Sequence, residues 1–101
     1  MSYLRVSVVK WTIEANSPEG DEVVRKVEQE GIPLLRKQPG FLRFQTMNSD
    51  SHTSVSVIEW ETEQQGQAGV QGWTEWLRSS GAGQQFDGPP QVYTGAVRIA
   101  S

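Results

Sequence analysis

The residues of this chain with the most chemical potential are aromatic and cationic. Trp60, Trp73 and Trp76, with Phe44, Phe86 and Tyr93, supply flat faces on which a planar ligand stacks, and the indole and phenol groups add a polar handle. Arg43 and Arg98 sit among apolar neighbours in strand-like runs, where a guanidinium pairs with a carboxylate or with an anionic ligand oxygen such as an enolate or phenolate. Clustered together, these aromatic side chains would suit an aromatic ligand. Each also has an ordinary structural reading: core packing for the tryptophans, and a surface pair with Glu59 or Glu61 for Arg43.

Other chemistries lack their residues. No cysteine is present, which removes thiolate nucleophiles, disulfides and iron-sulfur clusters. The single histidine, His52, follows Asp50 in a turn-like stretch, so transition metals lack their preferred ligands and no metal site is expected. There is no Ser/His/Asp arrangement, and Gly66, Gly69 and Gly72 do not follow a strand at dinucleotide-binding spacing. Nine basic residues against twelve acidic ones give a net charge of -3 with no basic block, which argues against nucleic acid as a partner. No apolar run approaches the roughly 18 residues that span a bilayer, and no signal-like leader is visible, so the expectation is a cytoplasmic protein with no membrane partner.

The elements that must position the site follow from pattern. A chain of 101 residues is expected to form one domain, 1–101. Residues 3–13 alternate, with Leu4, Val6 and Val8 on one side and Val9, Trp11 and Ile13 on the other, as in a strand buried on both faces. Ser17-Pro18 opens a helix whose stripe of Val23, Val24, Val27, Leu34 and Leu35 is interrupted near Gly31 by Pro33. Strands over 41–48 and 53–61 flank the turn-forming 48–52 and predict an antiparallel hairpin. Thr62 and Gln65 form a capping box for a second helix that runs to about Arg78. Three glycines weaken this helix, so either close helix-sheet approach or room for a ligand must justify them. A Gly- and Pro-rich connection over 79–90 reads as a lid or arm, and a last strand covers 91–99.

The order strand, helix, strand, strand, helix, strand predicts an α+β, ferredoxin-like fold with a four-stranded antiparallel sheet and two helices on one face. Two helices cover only that face, yet several strands are apolar on both, so a second copy packed through the sheet face is expected.

Two runs add a resemblance. Pro39-Gly40-Phe41-Leu42-Arg43-Phe44 and Val57-Ile58-Glu59-Trp60-Glu61-Thr62 resemble the start of the second strand and the end of the third in the antibiotic biosynthesis monooxygenase-like family, whose members are dimeric α+β barrels. The resemblance implies a homodimer with a pocket between sheet and helices in each subunit, and places Trp60 in that pocket. Members include cofactor-independent oxygenases of quinols and aromatic polyketides, and haem-degrading enzymes. The haem-degrading pattern of a helix histidine and a first-strand asparagine is missing here, near 70–73 and Ser7.

The expected function is a cofactor-independent monooxygenase of a small quinol or polyketide-like aromatic. Trp60 is the expected catalytic residue, and Trp73, Trp76, Arg43, Phe44, Tyr93 and Phe86 are the expected substrate contacts. The alternative is a non-catalytic dimeric barrel that binds a small apolar ligand or a protein partner.

Overall fold

Alternation of β-branched and polar residues sets the first strand, β1 (Tyr3–Lys10), at the interior of the sheet. The computed structural model describes residues 1–101 and continues with α1 (Pro18–Lys26), a π-helical turn (Val27–Gly31), α2 (Ile32–Arg36), β2 (Phe41–Asp50), β3 (Thr53–Trp60), α3 (Glu63–Ser79) and β4 (Gln91–Ala96). The sheet order is β2-β3-β1-β4, antiparallel throughout. This is the ferredoxin-like α+β fold, with the α1–α2 arm and α3 on one face. No helix is long and apolar enough to cross a membrane.

Helices α1 and α3 start at side-chain caps. Ser17 Oγ accepts the Gly20 N–H at 3.1 Å, and Thr62 Oγ1 accepts the Gln65 N–H at 3.1 Å. The interruption expected near Gly31 takes the form of a π turn, in which the Ile32 N–H bonds to the Val27 carbonyl five residues back. Widening the helix by one residue just ahead of Pro33, which has no N–H to give, lets one arm carry the proline without a break.

Register assigns the faces. Tyr3 pairs with Trp60, Arg5 with Ile58, Ser7 with Ser56 and Val9 with Ser54, so these residues share the face under the helices. Leu35, Ile58, Trp60 and Trp73 form the buried core there. The opposite face carries Leu4, Val6, Val8, Val55 and Val57, with Met47 and Tyr93 exposed beside them. No element of the chain covers it.

The boundaries of β1, β4 and β2 differ most from expectation. β1 stops at Lys10, because Trp11 leaves the ladder to form an isolated bridge with Phe86. β4 stops at Ala96 and leaves Ile99 exposed. β2 runs on to Asp50, absorbing register shifts between Phe41 and Arg43 and between Asn48 and Asp50. The connection over 79–90 is a strap rather than a free arm. Thr12 N–H donates to the Gln85 carbonyl at 2.8 Å, and Asp87 N–H to the Lys10 carbonyl at 2.7 Å.

Candidate functional site

Between the helix-side face of the sheet, the two helical arms and the strap lies an open cleft of about 1220 Å³. Its walls are apolar: Val23, Val24 and Val27 from the first arm, Trp73 and Leu77 from α3, Phe44 from β2 and Phe86 from the strap. Its floor is polar. Arg5, Ser7, Thr46, Asn48, Ser54 and Ser56 all rise from the strands into it. An apolar enclosure with a few converging polar groups is the usual composition of a small-molecule site.

The aromatic walls are built in pairs. Trp73 stands 5.5 Å from Phe44, centroid to centroid, and stacks on Trp76 at 5.2 Å. Phe86 packs edge-on against Trp11 at 5.1 Å, which anchors the strap over the end of β1. The Trp11 indole N–H donates to Ser54 Oγ at 2.8 Å, and Ser54 Oγ donates to Asn48 Oδ1 at 2.7 Å. The chain ends with Asn48 Nδ2 donating to Asn16 Oδ1 at 2.6 Å. These bonds hold one end of the floor rigid.

The structure thus brings Trp73, Phe44 and Phe86 together and separates the other expected contacts from them. Trp76 backs Trp73 and does not reach the cleft, since residues three apart on a helix share a face but only one can be innermost. Tyr93 is 61% exposed on the opposite face of the sheet, because its partner Val6 points that way. Arg43 reaches only the cleft rim and bonds Glu59 at 2.9 Å, the surface pairing that the sequence also allowed. Arg98 lies exposed beyond the end of β4.

Trp60 also lies outside the cleft walls. It is 0% exposed, wedged between the sheet and α3, with Phe41 edge-on at 5.8 Å. A Cβ on Gly69 would collide with its ring, and one on Gly66 would come within 3.0 Å of it. The glycines of α3 therefore serve close helix-sheet approach at positions 66 and 69, while a Cβ on Gly72 would meet only Gln38 Nε2, at 3.9 Å. The Trp60 indole N–H has no partner.

Sequence reasoning missed Arg5. Only 9% exposed, it lines the cleft floor and takes part in none of the ion pairs of the chain. Burial pushes its pKa down, opposed more weakly by Tyr3. The signal was present in the alternation of β1, which puts Arg5 and Ser7 on the side of Val9 and Trp11.

No three His, Asp or Glu side chains converge to hold a metal ion. Comparison with known proteins bears on the fold. The family pattern described as antibiotic biosynthesis monooxygenase matches residues 7–81. The monooxygenase from the gene ActVA-Orf6 of Streptomyces coelicolor, solved with the ligand nanaomycin D, superposes with a TM-score of 0.77 at 22% identity, over 99% of this chain and 90% of that one. SnoaB, a cofactor-independent oxygenase from Streptomyces nogalater, gives 0.70 at 13% identity, over 98% and 95%. A dimeric ferredoxin-like protein from an uncultured marine organism gives 0.76 at 9% identity, over 99% and 98%. No curated protein matches the sequence. At these identities the structural likeness is one of fold.

Proposed function

The chain belongs to the antibiotic biosynthesis monooxygenase family, and from that membership we propose that it oxidises a small phenolic or quinol-type aromatic with dioxygen and without a cofactor. The observation that carries this reading is the aromatic-walled cleft, in which Phe44, Trp73 and Phe86 surround a space wide enough for a planar ring system.

The chemistry asks little of the protein. A phenol that has lost its proton to solvent gives one electron to dioxygen, and the resulting radical pair joins at a ring carbon as a peroxide, which takes a proton back from solvent. Loss of water from that peroxide leaves a quinone, so one phenol and one dioxygen become one quinone and one water, with every electron drawn from the substrate. The walls supply orientation and exclusion of water, which together account for large rate effects when a reactive anion is involved. Trp73, Phe44 and Phe86 are the proposed substrate contacts. Trp60 serves by holding α3 against the sheet.

Oxygen consumption with a panel of hydroxynaphthalenes and quinols tests the reading. Protein-dependent uptake of one dioxygen per quinone formed, with no hydrogen peroxide released, supports it; no protein-dependent uptake with any member of the panel overturns it. One observation favours a second reading, a non-catalytic ligand-binding barrel. The cleft contains no histidine, and its carboxylates, Asp21 and Glu28, sit exposed on the first arm. Tight binding of the same aromatics with no oxygen uptake would select that reading.

The uncovered sheet face supports a homodimer. Leu4, Val6, Val8, Val55 and Val57 form one apolar surface spanning the two inner strands, and a second copy of this chain presents the same pattern to meet it.

A further inference from the structure

We propose that Arg5 is the anion-binding residue of the cleft, holding the ionised oxygen of a phenol or enol and drawing that group into its anionic form. The proposal rests on the reading of the cleft as an aromatic-binding site.

A guanidinium is always charged and offers five N–H donors, so removing it from water leaves a demand that something must meet. Arg5 is only 9% exposed, its nitrogens still open to the cleft, and it contributes to no ion pair and to no side-chain hydrogen bond in the chain. The cationic residues that do form ion pairs, Arg25, Arg43 and Arg78, are exposed at the surface.

Its surroundings explain why no internal partner exists. In register Arg5 lies between Ile58 on β3 and Thr94 on β4, neither of which carries charge. The flanking positions on the same strand face are Tyr3 and Ser7. The acids of the cleft, Asp21 and Glu28, belong to the outer, solvent-exposed part of the first arm and make no ion pair with it. The unmet demand therefore points into the cleft.

A carboxylate, a phenolate or an enolate would satisfy Arg5 equally as a point charge. The aromatic walls select among them, because Trp73, Phe44 and Phe86 favour a ring that carries the oxygen directly. Neutral phenol gains less from a guanidinium than phenolate does, since the charge-assisted bond is the stronger. Binding is thereby linked to ionisation: the bound phenol loses its proton to solvent at lower pH than the free one.

The test uses 7-hydroxycoumarin, whose phenol and phenolate absorb differently, titrated with pH in the presence of wild type, Arg5→Met and Arg5→Lys. Wild type is expected to lower the apparent pKa of the bound probe by at least one unit, a tenfold or greater preference for phenolate. Arg5→Met should bind the neutral probe with its pKa unshifted or raised, and Arg5→Lys should restore part of the shift. Without ligand, Arg5→Met should melt at the same temperature as wild type or above it, because no ion pair or side-chain hydrogen bond of the fold is lost. Bound probe with an unshifted pKa in wild type, or a shift that survives in Arg5→Met, overturns the role of Arg5 and leaves the aromatic cleft standing. A lower melting temperature for Arg5→Met marks the residue as structural and likewise overturns it. Absence of binding to wild type removes the reading of the cleft itself, and the role of Arg5 with it.

Discussion

Gly69 and Trp60 interlock so closely that a Cβ built on the glycine would collide with Cη2 and Cζ3 of the indole. The ring belongs to a fully buried side chain and has nowhere to move. Helix propensity alone says that Gly→Ala in α3 stabilises by up to about 1 kcal/mol. At Gly69, overpacking at about 1–3 kcal/mol outweighs that gain, so Gly69→Ala is expected to lower stability. Gly72, three residues further along the same helix, meets only Gln38 Nε2 at 3.9 Å. Gly72→Ala is expected to raise stability by several tenths of a kcal/mol to about 1. Denaturant unfolding of the two variants should give opposite signs, and equal signs would refute the packing argument.

Trp60 combines complete burial with an indole N–H that finds no acceptor. An unsatisfied buried donor costs about 1–3 kcal/mol, and a phenyl ring in its place leaves a cavity but removes that donor. The two effects oppose each other in Trp60→Phe. Truncation to alanine has no such compensation and costs roughly 3–5 kcal/mol. The expected result is a Trp60→Phe variant much closer to wild type in stability than Trp60→Ala. Because Trp60 stands outside the cleft walls, ligand affinity should change by less than about threefold in the folded Phe variant, which is under 1 kcal/mol. A tenfold loss of affinity would return Trp60 to the binding site.

Much of the fold was legible because local signals agreed: Ser17-Pro18 and Thr62 to Gln65 mark helix starts, Pro39-Gly40 marks a stop, and Gly40 indeed takes a φ of 82°. The site was less legible. Alternation separates the two faces of β1 and β4 but does not say which face the helices will cover, so Tyr93 was grouped with aromatics from which the sheet divides it. The same ambiguity hid Arg5. Family likeness placed Trp60 at the right strand end but could not show that Gly66 and Gly69 bring α3 down onto it, which seals the ring away from the cleft. The π turn is not legible in the sequence because Gly31 and Pro33 mark an interruption there without saying what form it takes.

The uncovered face of the sheet makes the oligomer testable. Val6 lies at its centre, paired with Val57 on one side and Tyr93 on the other. Glutamate there would place an unpaired carboxylate in an apolar interface, while in an isolated subunit it would remain solvated. Val6→Glu is expected to shift the protein from dimer to monomer in light scattering at micromolar concentration, with secondary structure by circular dichroism unchanged. A wild type that is already monomeric under the same conditions would refute the sheet-face dimer.

The π turn and the cleft meet at Gly31. A Cβ there would come within 2.8 Å of Trp73 Cζ3 and 2.9 Å of Trp76 Cζ3. Neither ring has a flexible end to withdraw, and the two are stacked with planes 29° apart, so a push on one is transmitted to the other. Trp73 is the only one of the pair that lines the cleft. Gly31→Ala should therefore do two things at once: lower stability by about 1–3 kcal/mol through overpacking, and displace the Trp73 wall. The second effect separates this site from Gly69, where the ring that is struck lies outside the cleft. With 7-hydroxycoumarin as the probe, Gly31→Ala is expected to weaken binding by roughly tenfold, about 1.4 kcal/mol, whereas Gly69→Ala in its folded fraction should leave binding nearly unchanged. Equal losses in the two variants would mean that destabilisation alone, and no specific displacement of Trp73, governs the affinity of the cleft.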